Sequence, residues 1–287
     1  MGLFVTLHNT TSQYESVESS LIKPHIALTE DDNKVHYKPS VKLITTFYVT
    51  NTSSPTRIGY NEYISGFSSI EIDGVVQSNV VSSYTFSTTG VHNVIYELTN
   101  PTAISSYAFY NVTNLYTIII PNVVNTIGEY AFYNCTYLED VTLPTSLNLI
   151  SHHCFTNCTS LNSPNIPNCV IGIGAAAFSG CTFDAITIPN SVKTIGIQAF
   201  NCRNVTNITI GTGITNIYDS AFASDYLESV TIYATTPPTI GENTPFPPMG
   251  WAGEYPIYVP SGSVNAYKTA WASIGSGQYS NVVQAIP

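Results

Sequence analysis

Charge is what this sequence has least of. Only 9% of its 287 residues are Asp, Glu, Lys or Arg, against about 25% in an ordinary soluble domain. Lys plus Arg total 8 and Asp plus Glu total 18, a formal net charge of -10. No basic stripe exists to neutralise phosphates, so nucleic acid is excluded as a partner. An anionic membrane surface is excluded on the same ground. No apolar run of about 18 residues occurs, so no membrane insertion is expected. The opening MGLFVTLHNTTSQYESVESS has no basic region followed by a long apolar run, and so does not read as a secretory signal. Gly2 and Thr6 fit the short myristoylation pattern, with nothing else behind it.

The chemical motifs are missing too. There is no C-x-x-C, no H-E-x-x-H and no Gly-rich phosphate loop among the residues, so neither a metal nor a cofactor is expected. Glu30, Asp31 and Asp32 are adjacent but lack the alternating spacing of a calcium loop, and read as a solvated acidic turn. Ser151, His152, His153 and Cys154 are consecutive. That invites a nucleophile–base reading, but no orienting acid stands nearby, and they read as loop residues of one coil. The protein is not expected to be an enzyme.

What replaces charge is Thr, Ser, Asn and 20 Tyr, arranged in an internal repeat. Ala-Phe pairs recur at Ala108-Phe109, Ala131-Phe132, Ala177-Phe178, Ala199-Phe200 and Ala221-Phe222, with Cys154-Phe155 in the same series; the Phe spacings are 23, 23, 23, 22 and 22. An apolar residue follows each Phe: Leu115, Leu138, Leu161, Phe183, Val205 and Leu227. A strand-like phrase comes next, such as LEDVTLP (138–144) or LESVTIY (227–233), and then an apolar pair such as Leu147/Ile150 or Val192/Ile195. Units this short cannot bury their own apolar face, so they must stack, Phe on Phe and Leu on Leu. In the strand phrase Val141 and Leu143 face in, and Asp140 and Thr142 face out. Stacked outward residues form ladders that include Thr142, Thr187, Thr209 and Thr231.

This pattern, I-G-x-x-A-F-x-x-C-x-x-L-x-x-V-T-I-P-x-x-V, resembles the BspA-like leucine-rich repeats of bacterial and protist surface proteins. The sequence departs from it at Cys154, Ser151, Tyr218 and Pro164; the proline is expected to interrupt strand pairing locally. The resemblance implies a curved solenoid whose parallel sheet forms the concave face. The expected fold is mainly β: a leucine-rich-repeat solenoid over 100–240, a C-terminal cap over 241–287, and a small β-sandwich-like module over 41–99 before the array. The cap contains Val264, Tyr267 and Trp271 at helical spacing, with Ser261 or Ser263 as N-cap. In the module Val41, Leu43, Thr45, Phe47 and Val49 alternate as a strand does.

Residues 1–40 read as an attachment arm. KPHIALTEDDNKVHYKP (23–39) and the β module resemble the N-terminal region of virion fibre or decoration proteins of gut bacteriophages. That resemblance implies a virion-surface protein, anchored by its arm and displaying the repeats. The alternative is an adhesin on a bacterial cell surface. In either setting the arm would join the protein to a larger assembly or to copies of itself, and the repeats would bind a host protein or glycan.

Two further expectations concern side chains. Cys135, Cys158, Cys181 and Cys202 occupy equivalent positions after the repeat Phe, where the first unit has Val112. They read as small buried hydrophobes rather than disulfide partners or metal ligands, and Cys169 reads as the most exposed thiol. Tyr107, Tyr110, Tyr130 and Tyr133 cluster in the first two units. They could form a binding patch, since tyrosine combines a rigid apolar face with a polar tip. The alternative is a structural cover over the junction with residues 41–99.

Overall fold

The computed structural model describes residues 22–27, 36–60, 62–163, 165–241, 244–247, 255–274 and 278–287. The acidic turn at 30–32, the start of the arm and Pro164 lie outside them. The fold is mainly β and is a solenoid with a C-terminal cap, preceded by an N-terminal β module.

Each coil has three sides. The first is the expected strand phrase. Ala185–Ile188, Asn207–Ile210 and Ser229–Ile232 pair in parallel and in register, Thr187 beside Thr209 beside Thr231. Leu115–Ile119 and Asp140–Thr142 pair likewise in the first two coils. Between these two groups the described residues Ser163 and Asn165 belong to no strand. The second side is a ladder of two-residue strands: Leu149–Ile150, Gly172–Ile173, Thr194–Ile195, Asn216–Ile217 and Thr239–Ile240. Their short length follows from the sequence, which supplies one inward Ile before the residue that turns the chain: Gly in three coils, Ser151 and Tyr218 in the others.

The third side is the Ala-Phe turn, held together without strands. The N–H groups of Tyr107, Phe109 and Asn111 reach across to Glu129, Ala131 and Tyr133 of the next coil at 2.8–3.0 Å. The intervening N–H groups bond within their own turn, as Ala108 does to Ser105 and Tyr110 to Tyr107. Alternating the bonds this way requires left-handed residues. Tyr107, Tyr130, His153, Ala176, Gln198 and Ser220 share one slot with φ between 52° and 61°. Asn111, Asn134, Asn157 and Gly180 share another, at 56–78°, and Asn and Gly tolerate that region best. In the first slot ordinary side chains accept a conformational cost, offset by the inter-coil hydrogen bond that each N–H makes.

The core is a column of rings. Phe109, Phe132, Phe155, Phe178, Phe200 and Phe222 stack with centroids 5.1–5.4 Å apart and planes within 11°. Phe246 continues the column into the cap. Each of these rings is buried, and each burial is worth about 1.5–3 kcal/mol. The column ends on Tyr96 and Phe67 of the N-terminal module and on Tyr279 of the cap.

The module is continuous with the array. Its long strand His36–Val49 pairs with Gly90–Leu98 on one side and with Leu115–Ile119 of the first coil on the other, both antiparallel. Val41, Leu43, Thr45, Phe47 and Val49 are all buried, and Thr45 donates its hydroxyl to the Val94 carbonyl. Phe67–Ile72 extends this sheet beyond Gly90–Leu98, and a separate two-stranded ribbon, Thr56–Arg57 with Ser83–Tyr84, lies outside it. The first half of the long strand pairs with Ile22–Ala27, so part of the arm is a β-ribbon.

The cap also joins the solenoid through its sheet. Ile257–Val259 and Val283–Ala285 add two parallel strands after Ser229–Ile232. The helix Val264–Ala270 lies between them in sequence, with Tyr267 and Trp271 buried. Ser263 does stand at its N-cap position, but its hydroxyl makes no capping bond. It donates to the Thr235 carbonyl at 2.8 Å instead, because the preceding 3-10 turn carries it over the last coil.

Candidate functional site

The concave sheet holds a trough of about 1450 Å³. Its floor is the outward row of the strand phrases: Asp140 and Thr142, then Ser163 and Asn165, Ala185 and Thr187, and Thr209. One wall is the turn after each strand, with Thr145, Asn168, Asn190 and Thr212. Tyr233 stands at the C-terminal end, 46% exposed. The inward partners Val141, Ile186, Ile208 and Val230 are buried, so the strand alternation that builds the core also presents this polar floor.

The wall is rigid for a local reason. Asn190 Oδ1 accepts the backbone N–H of Thr212 at 2.9 Å. Asn122 Oδ1 likewise accepts both the N–H and the hydroxyl of Thr145. Each Asn therefore ties its turn to the turn one coil on. Gly211 is needed beside Asn190: a Cβ there would lie 2.6 Å from Asn190 Oδ1 and 2.7 Å from its backbone.

Among the described lining residues, Asp140 alone is ionisable near neutral pH. Partial burial pushes its carboxyl above the ordinary range, against the pull of the Val141 N–H. One carboxylate among hydroxyls and amides offers no acid–base pair and no activated nucleophile. Among the described residues no group of three or more His, Cys, Asp or Glu could hold a metal ion.

Of the predicted binding residues, Thr142, Thr187 and Thr209 line this trough, and Thr231 is the next rung, beside Thr209. The four tyrosines are elsewhere. Tyr107 stacks on Tyr130 at 5.0 Å, and Tyr130 on His153 at 4.6 Å; Tyr110 stacks on Tyr133 at 5.0 Å. Tyr63 and Tyr60 of the module cover Tyr107 and Tyr110 at 5.1 and 5.3 Å. This half-buried strip runs from the module onto the first coils. His153, desolvated and next to His152, is held below the ordinary imidazole range.

The Ser151–Cys154 run disperses. Ser151 donates to the Ile127 carbonyl. His152 Nδ1 accepts the Ala175 N–H at 2.9 Å. His153 lies on Tyr130, and Cys154 is buried in the Ala slot. The other cysteines form the expected ladder. Cys135, Cys158, Cys181 and Cys202 are buried free thiols, and each donates to the carbonyl of the preceding coil's Phe at 3.1–3.2 Å. Cys169 is the half-buried one.

A family model described as a BspA type leucine rich repeat region, in 6 copies, matches residues 79–174 and 125–244. Together these matches cover more than half of the chain. The chain belongs to the BspA-type leucine-rich repeat family. Solved structures similar to this BspA-type array include a leucine-rich repeat protein of T. pallidum, at 27% identity and TM-score 0.39, covering 49% of this chain and 66% of that one. Another is a leucine-rich repeat protein of Bacteroides ovatus, at 20% identity and TM-score 0.36, covering 69% of each chain. A third is a leucine rich cell surface protein of Faecalibacterium prausnitzii, at 21% identity and TM-score 0.29, covering 51% of this chain and 62% of that one. The chain thus spans roughly two thirds of the length of each. Comparison with curated proteins gives no match.

Proposed function

We propose that this protein is a non-enzymatic binding and display protein whose BspA-type array presents its concave trough to a ligand outside the cell. The observation that carries the reading is a wide trough in which hydroxyl and amide groups alternate with Pro, Leu and Ile edges, with one carboxylate among its described lining residues. The backbone under each rung is held by the strand pairing between coils, so the rungs need no backbone ordering on binding. The ligand class is a host protein or glycan.

The arm serves as the anchor, and the carrier is a phage virion, with the protein as a head fibre or decoration component. The likeness of residues 23–39 and of the β module to such proteins supports this. The polarity of the molecule supports it as well: the C-terminal end of the column is closed by Tyr279, while the other end leads through the module to the arm. An adhesin on a bacterial cell is the competing carrier. Peptide mass spectrometry on purified particles and on proteins shaved from intact cells separates the two. Recovery from particles is the expected result; recovery from cells alone would overturn the virion assignment. Binding itself is tested by screening the full chain on glycan and matrix-protein arrays. The full chain is needed because removing the module would leave one edge of Leu115–Ile119 unpaired.

A further inference from the structure

We infer that the trough binds an uncharged oligosaccharide laid across the rungs, with Tyr233 as its stacking platform. This rests on the binding reading above and names its ligand. Three observations carry it.

The first is charge. Among the described residues lining the trough there is no Lys, Arg or His, and Asp140 is the only carboxylate. Sulfated, phosphorylated or sialylated chains would find no cation to pair with, and would meet Asp140 as a like charge. Nucleic acid fails for the same reason.

The second is the kind of polar group. Thr142, Thr187, Thr209, Asn165 and Asn190 offer hydroxyls and amides, which both donate and accept. A sugar hydroxyl also does both. A protein partner would be held instead by aromatic or Arg anchors in desolvated pockets. Leu143, Ile166 and Ile188 also line the trough, but each shows only a small edge, which gives apolar ground between the polar groups and no deep anchor pocket.

The third is geometry. Thr187, Thr209 and Thr231 are adjacent rungs of one parallel sheet, which repeat at about 4.8 Å, close to the length of one sugar ring, so successive rings can meet equivalent side chains. At the end of this row Tyr233 is 46% exposed, and its N–H is fixed to the Ile210 carbonyl at 2.9 Å. An exposed aromatic face beside hydroxyl donors suits the apolar face of a pyranose.

The test titrates the full chain against linear neutral oligosaccharides (glucan, mannan and N-acetyllactosamine oligomers). Heparin fragments, sialylated oligomers and an array of matrix proteins are run in parallel. The variants are Tyr233→Ala, Thr187→Arg and, as a control outside the trough, Tyr226→Ala, each checked by thermal melting. Thr187 and Tyr226 are exposed, so these changes leave the core intact. The expected result is binding to at least one neutral series. It should weaken tenfold or more in Tyr233→Ala, vanish in Thr187→Arg and be unchanged in Tyr226→Ala. Preference for the acidic chains, or neutral binding that survives Thr187→Arg, would overturn the inference. Binding to a matrix protein but to no neutral sugar would overturn it while leaving the binding reading intact. Binding to nothing on either array would count against both.

Discussion

Phe246 lies on Phe222 at 5.6 Å, with the two planes 12° apart. The column of rings thus runs one step past the last Ala-Phe pair and hands over to Tyr279 in the cap. A stacked array is strongest where each unit has two neighbours and weakest at an open end. The extra ring removes the open end.

This column sets the first prediction. Phe178 touches Phe155, Phe200 and Phe183, and Phe178→Ala should cost about 3–5 kcal/mol, as truncation of a buried Phe does. Phe246→Ala should cost an amount in the same range, because its ring is equally buried. Chemical denaturation followed by circular dichroism measures both. An unchanged midpoint for Phe178→Ala would mean that the column is not the core.

The column shows what could be read in advance. Six of its rings announce themselves by a spacing of 22 or 23 residues. Phe246 does not, because TPFPP replaces the Ala-Phe context. The thiol ladder was legible for the same reason as the six rings: Val112 sits in its first slot. The join between module and array was not. Phe47 pairs with Leu115, and nothing local in either segment marks a partner so far along the chain. The trough was half legible. Its Thr rungs follow from strand alternation, but Tyr233 follows a strand where other coils have Pro144 or Pro189, and no periodicity singles it out as a wall. The tyrosines of the first two coils stood out by composition, yet their contacts with Tyr60 and Tyr63 depend on a turn of the module that carries no repeat signal.

Thiol reactivity gives the second prediction. Burial pushes the thiols of Cys158 and Cys202 up to about 12, and those of Cys135, Cys154 and Cys181 rise for the same cause. The thiolate is the reactive species, so at neutral pH these five should resist a maleimide reagent in the native protein. Cys169 should react first. Unfolding should expose six. Intact-mass measurement before and after denaturant counts them, and a native mass showing disulfides would refute the ladder.

The same shifts make stability depend on alkaline pH, which is the third prediction. A thiol whose folded pKa is raised holds its proton longer when folded than when unfolded. Its contribution is complete below the unfolded value of about 8.5 and is lost as pH climbs toward about 12. Tyr279, also raised to about 12 by burial, acts in the upper part of that window. Tm should therefore be flat with respect to these groups from pH 7 to 8 and fall steadily from 9 to 11. Cys158→Val places in that slot the residue the first coil already uses, and should make the fall shallower. A slope identical to that of the parent would show that Cys158 ionisation plays no part.

The arm gives the last prediction. Ile22–Ala27 pairs with the first part of His36–Val49 and forms a ribbon of six residue pairs, Ile22 opposite Val41 and Ala27 opposite His36. From Lys42 onward the long strand is held by Gly90–Leu98, and from Ile44 by Leu115–Ile119 as well. The cores on the two sides of Val41 are therefore unequal. A two-stranded ribbon by itself is marginal in water, whereas the remainder of the strand lies inside a larger sheet with Leu43, Phe47 and Val49 buried beneath it. Deleting residues 1–40 should leave 41–287 folded, soluble and melting within a few degrees of the full chain. Ser40 is buried without a hydrogen-bond partner for its hydroxyl, so its loss should cost little. The same deletion should abolish incorporation into the parent particle or oligomer, read by co-sedimentation with purified particles and by light scattering of the free protein. A truncated protein that still assembles would move the anchor from the arm to the module or the repeats, and the virion assignment would lose the support it draws from residues 23–39.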